Sequence, residues 1–174
     1  MLLASKLGAL GVLLSDVGER VAGDLSPSGA ALLLTLRFRR ALTATVLADI
    51  AGIAQPTAVR VLDGLIRRGL VMRQRRTGRE APVRLTSLGR KRAQQLLSAR
   101  LRAIGQLLTP LSRHEHAALE DIVDRLLAAA TTSRAFARTT CRLCDHAACN
   151  GPRCPIGTRA TELEGQATEI PEGD

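Results

Sequence analysis

Tryptophan and tyrosine are absent from this 174-residue chain, and phenylalanine occurs only twice. A core must therefore be built from Leu, Ala, Val and Ile, which favours packed helices. Also missing is any run of about eighteen apolar residues. In the N-terminal MLLASKLGALGVLLSDVGERVAG, Lys6, Asp16, Glu19 and Arg20 interrupt the leucines. That excludes a membrane span there, and the lack of a basic stretch ahead of the apolar part speaks against a signal peptide. A cytoplasmic protein is expected, in which thiols stay mostly reduced. No Ser/His/Asp arrangement and no paired carboxylates stand out, so the chain does not read as an enzyme. Its length suits one well-buried domain, or a small domain with a helical extension.

Carboxylates are scarce in one place above all. Residues 37–102 hold sixteen basic and three acidic side chains, a local charge of +13, whereas residues 1–36 sum to −1 and residues 103–174 to −3. Arginine supplies 23 of the 25 basic residues, but a coding bias would spread them evenly. A concentrated positive field is what a polyanion-binding surface requires, because each neutralised phosphate releases condensed counterions.

The periodicities are helical. Leu3, Leu7, Leu10, Leu14, Val17 and Val21 alternate spacings of four and three, the a/d seam of one helix. Ser26 and Pro27 then open a second helix as N-cap and first residue, with its leucines facing a core. In LADIAGIAQPTAVRVLDGLIRRGLVMRQ, a short helix from about Thr45 ends in a turn at Gly52. Another helix begins at Pro56 and is closed by Gly69 as a C′ glycine, with Arg67 and Arg68 in its last turn. With Val59 centred on the buried face, Thr57, Arg60, Val61 and Gly64 point outward, a small and polar face around one arginine. Extended runs at Leu70 to Gln74 and Val83 to Leu85 flank Gly78 as a β-hairpin. Arg73, Arg75, Arg76, Arg79 and Arg84 all lie on it beside a single Glu80. A long helix follows from Ser87 until Pro110, with Leu97, Leu101, Ile104, Leu108 and Leu111 in register. A capping box at Ser112 and Glu115 opens a last helix to about Arg138. His114 and His116 are read as surface residues. The acidic end, rich in small residues, reads as a disordered tail over 158–174.

This order is that of a winged helix-turn-helix, mainly α with a small β-hairpin wing, set between flanking helices. In the stretches LSPSGAALLLTL, LADIAGIAQPTAVRVLDGLIRRGLVMRQ, GREAPVRLTSLGRKRA and LTPLSRHEHAALEDIVDRL, covering about residues 1–130, the chain resembles the MarR family of transcriptional regulators. The resemblance implies a homodimer that regulates transcription, as a repressor, by placing each recognition helix in a major groove of a double-stranded DNA operator. It implies dimerisation helices at 1–25 and 89–138 around a DNA-binding lobe at 26–88. Carried onto this sequence, contacts to DNA would come from Gln55, Thr57, Arg60, Val61, Arg73, Arg75, Arg76 and Arg79, with Arg60 able to grip a guanine in two-point contact. Two departures stand out. Thr77 occupies the place where relatives carry an aspartate that orients the wing arginine, and Ala54 precedes Gln55 where a capping serine is frequent. No effector is carried over, because the chain has no Tyr or Trp to meet a phenolic ligand.

All four cysteines fall within CRLCDHAACNGPRCP, in a segment at 139–157 that the family pattern does not require. Cys141, Cys144, Cys149 and Cys154 could close around one tetrahedral ion, because short loops place little entropy against closure. Their spacing is that of a zinc knuckle with Cys149 where such knuckles carry histidine, without the aromatics that stack on bases. Structural zinc is the leading reading. An iron–sulfur cluster is the alternative, suggested by Pro155 directly after the last cysteine. Disulfides, a thiol-disulfide oxidoreductase site at Cys141 and Cys144, and a docking module for a protein partner are the remaining readings. His146 could replace one ligand, but it is expected as a polar loop residue.

Overall fold

The computed structural model describes residues 1–75 and 81–168, with side chains to residue 166. The chain divides into two compact units, Met1–Pro110 and Leu111–Asp174. No helix among the described residues is long and apolar enough to cross a membrane.

The first unit contains α1 (Leu2–Ala22), α2 (Pro27–Phe38), α3 (Ala44–Ala51), α4 (Gln55–Arg67), strands β1 (Val71–Arg73) and β2 (Val83–Leu85), and α5 (Ser87–Leu108). Helix α2 is its axis. It packs against α1, α3, α4, α5 and β2, so every residue from Gly29 to Leu36 is buried, not one stripe alone. Each leucine buried there contributes about 1.5–3 kcal/mol over an exposed one. Its start is fixed by the Ser26 hydroxyl, which accepts the Gly29 N–H at 3.1 Å. The Thr43 hydroxyl caps α3, and Gly52 ends that helix with φ of 67°, a left-handed turn that a side chain would strain.

Helix α4 begins where the sequence places it, but the buried face is turned by one residue. Ala58, Leu62 and Leu65 face the core, whereas Val59, expected at the centre of that face, is exposed. The small Ala58 lets α4 approach the neighbouring helices closely, a packing demand that outweighs the larger apolar area of Val59.

In the hairpin, Val71 pairs with Leu85, Met72 with Arg84 and Arg73 with Val83. The ordered strands are shorter than the extended runs, although the Gln74 N–H still reaches the Pro82 carbonyl at 2.7 Å. Leu42 bridges to Val83 on the other side of β2. Thr86 joins the hairpin to α5: its hydroxyl donates to the Gly69 carbonyl at 2.6 Å and accepts the Gly89 N–H at 2.9 Å. Gly89 is required by contact, since a Cβ there would stand 1.8 Å from the Leu70 carbonyl oxygen. Helix α1 leans on α5 through its second half, where Val17 is buried, while Leu3, Leu7 and Leu10 of its seam are exposed.

The second unit holds α6 (Arg113–Ala130), α7 (Arg134–Thr140), two 3₁₀ turns at Cys141–Leu143 and Gly151–Arg153, and α8 (Pro155–Thr168). The capping box at its start is present, with both Ser112 and Glu115 taking part. Hydrogen bonding to Ser112 holds the Glu115 carboxyl below its ordinary range. Two expectations are corrected here. The last helix does not run to Arg138, because it stops at Ala130 and α7 restarts at Ser133, whose hydroxyl caps Phe136 at 3.1 Å. The segment expected as a disordered tail from 158 is helical as far as Thr168. Ala160 is fully buried, and the Arg134 guanidinium binds Thr161 at 2.7 Å and Glu164 at 2.6 Å. Helix α8 packs on both α6 and α7.

Candidate nucleic-acid interface

The sequence places a turn at Gly52 and an N-terminal proline next to it, and together these make α4 leave α3 with its first turn in solvent. Gln55, Thr57 and Arg60 are all exposed on that turn and the next. Ala54, at the N-cap, provides no side-chain hydrogen bond. Gln55 instead turns its amide onto the Thr45 hydroxyl at 2.9 Å, linking the start of α4 to α3. Arg60 has no ion-pair or hydrogen-bond partner among the described residues. Val61 does not share this face. It is half-buried, with Cγ1 3.8 Å from where a Cβ on Gly29 would lie, so it packs toward α2.

On the hairpin, Arg73, Arg75 and Arg84 are exposed. Arg73 donates to Asp63 of α4 at 2.7 Å, an exposed pair that costs little to exchange for a phosphate. Arg76, Thr77 and Arg79 lie outside the described residues. Two residues that sequence reasoning passed over set the position of α4. Asp24, in the corner between α1 and α2, accepts from Arg68 at the end of α4 and, at 3.0 Å, from Arg92 of α5; Arg92 also donates to the Ala22 carbonyl at 3.0 Å. Gly89 brings α5 onto the strand that follows α4. Gly89 had a signal, a glycine inside the helical run LTSLGR. Asp24 had none, because its partners are 44 and 68 residues away.

The four cysteines converge in the second unit. Cys141 and Cys154 are buried and Cys144 and Cys149 half-buried, packed with Leu127, Ala137, Ile156 and Ala160. All four are free thiols. The Gly157 N–H donates to the Cys154 sulfur at 3.2 Å. His146 lies in a turn, as expected, but is half-buried and sets its Nε2 3.0 Å from the Cys141 carbonyl oxygen. The hydrogen bond with Cys144, together with burial, pushes the Cys141 thiol up strongly, and burial followed by the neighbouring Cys154 pushes Cys149 to about 11. Such thiols are protonated near neutrality and are poor nucleophiles. Among the described residues no group of three or more His, Cys, Asp or Glu side chains is arranged to hold a metal ion. The donor set is nonetheless that of a soft cation, whose charge would displace the thiol protons that crowd one another here.

The MarR family model matches residues 25–78. Among solved structures, a MarR family protein from Bacillus stearothermophilus superposes with a TM-score of 0.67 at 23% identity, over 75% of this chain and 94% of that one. The PcaV transcriptional regulator from Streptomyces coelicolor gives 0.56 at 25% identity, over 71% and 96%. A point mutant of MepR from S. aureus, bound to an oligodeoxyribonucleotide, gives 0.57 at 18% identity, over 72% and 96%. No curated protein matches the sequence.

Proposed function

We infer, for a chain whose winged-helix region is that of the MarR family, a cytoplasmic transcriptional repressor that binds a double-stranded DNA operator as a homodimer. The observation that carries this reading is α4: it offers Gln55, Thr57 and the unpaired Arg60 to solvent beside a hairpin of arginines, within a segment of charge +13. Arg60 would read a guanine, and Arg73, Arg75 and the tip arginines Arg76 and Arg79 would hold phosphates or the adjacent minor groove. Arg73 would release Asp63 to do so. Exposed apolar rows support the homodimer: Leu3, Leu7 and Leu10 on α1, and Ile122, Val123 and Leu126 on α6 lie open to solvent in the single chain. A MepR mutant in the structural comparison is bound to an oligodeoxyribonucleotide, and the shared fold brings that activity into the proposal. The chain is read as a regulator, not an enzyme.

For the cysteines, the proposal is one structural zinc held by Cys141, Cys144, Cys149 and Cys154. Their gathering into one small apolar cluster supports it, as does the N–H donated to the Cys154 sulfur. An iron–sulfur cluster is the second reading, favoured by Pro155 and by the same gathered thiols. Absorption and elemental analysis of anaerobically purified protein separate the two: a colourless protein with one zinc per chain supports zinc, and a brown protein with iron and sulfide supports the cluster. The DNA reading is tested by selecting ligands from random duplex DNA. Enrichment of an inverted repeat with half-sites about one helical turn apart is expected; no enrichment of any sequence would contradict it.

A further inference from the structure

Away from α4, a cavity of about 450 Å³ opens between the C-terminal end of α2, the foot of the hairpin and the start of α5. Its volume lies in the range of small-molecule sites. Five arginines line it: Arg37, Arg39 and Arg40 from α2 and the residues after it, Arg84 from β2, and Arg90 from α5. No carboxylate lines it among the described residues. The side chains of Arg39, Arg40 and Arg84 make no hydrogen bond or ion pair with any described residue. Arg37 is the most informative. Its guanidinium lies over the Phe38 ring at 5.4 Å, and its Nε is buried without a hydrogen-bond partner among the described residues. A buried donor left unpaired is costly, and like charges gathered around one space repel. Arg90 is already held, donating to the Leu85 carbonyl at 3.2 Å and to the Ser87 hydroxyl at 3.1 Å, so its position is fixed before any ligand arrives.

The charge of such a space calls for an anion. The C-terminal carbonyls of α2 oppose one weakly, and several charge-assisted bonds from guanidinium groups outweigh that opposition. A lone carboxylate offers two oxygens to this many planar donors. A phosphoryl group offers three strong acceptors and up to two charges, and a diphosphate more. We propose that this arginine-lined cavity binds a small phosphorylated ligand, with Arg37, Arg40 and Arg84 gripping its phosphoryl oxygens. A phosphate of a DNA backbone has the same chemistry, but a strand lying across a surface needs only a row of exposed cations, whereas here arginines from α2, β2 and α5 converge on one concavity. The proposal holds whether or not α4 reads DNA.

The test is isothermal titration of the purified full-length protein, without DNA, with inorganic pyrophosphate at about 0.15 M salt. Saturable binding at one site per chain is expected. Arg37→Gln and Arg84→Gln should each weaken it at least tenfold, while Arg113→Gln on α6 leaves it unchanged. Arg84 is exposed on β2, so its variant decides the matter even if Arg37→Gln fails to fold. Non-saturable binding, or equal affinity in all variants, would overturn the site. Tighter binding of citrate than of pyrophosphate would overturn the assignment to phosphate. If the wild type shows no pyrophosphate site and the Arg37 and Arg84 variants lose affinity for random duplex DNA, these arginines are DNA-backbone contacts and the proposal fails.

Discussion

The two units of this chain hold themselves together by different means. Met1–Pro110 is organised around α2, with leucines buried on all sides and junctions fixed by specific residues such as Ser26, Gly52, Thr86 and Gly89. Leu111–Asp174 has no buried residue on its longest helix, and its small core is Ala137, Ile156, Ala160 and two cysteines. The first buries many large apolar side chains, whereas the second buries few, and on the zinc reading its cysteines would supply a cross-link where the core is small.

The contrast is sharpest at those cysteines. Cys154→Ser, which also removes the sulfur that accepts the Gly157 N–H, should abolish amide-exchange protection in α7 and α8 while α2 and α4 keep theirs. Retained protection in α8 would show that the second unit needs no cross-link. In the first unit the counterpart is Gly89→Ala. Its methyl group would collide with the Leu70 carbonyl, and overpacking against backbone should cost about 3 kcal/mol in thermal or urea unfolding, with the second unit unaffected. The smallest effect belongs to a cap. Ser112→Ala should cost about 1 kcal/mol, seen as faster amide exchange at the start of α6. Because Glu115 is held below its ordinary value, its contribution to the cap is present above that value and fades as pH falls through the lower one.

Most of the first unit was legible because local chemistry and tertiary packing agree there. Ser26 caps, Gly52 and Gly69 turn with positive φ, and the hairpin falls between two apolar runs. The face of α4 was misjudged by one position, since apolar area pointed to Val59 and packing selected Ala58. That same rotation turned Val61 from the expected DNA face toward α2. In the second unit composition misled. GTRATELEGQAT reads as part of a disordered acidic tail, yet Ala160 and Leu163 suit a helix once Arg134 and the cysteine cluster give it something to pack on. Contacts of that kind join residues about thirty positions apart, and no window of sequence contains them.

The arginines repeat the contrast between the units in electrostatic form. Binding to duplex DNA should weaken with salt at a slope of about −0.9 per phosphate contacted. Neutralising Arg75 should reduce that slope by about one while leaving sequence preference intact. A base-reading residue should do the reverse. The decisive quantity is therefore the affinity of wild type and Arg60→Gln for the selected operator and for single-base variants of it. With α4 seated in the major groove, the substitution costs roughly 1–3 kcal/mol on the operator and relaxes preference at one base pair in each half-site. Unchanged preference at every position, with the wild-type pattern intact, would contradict the placement of α4 in the groove.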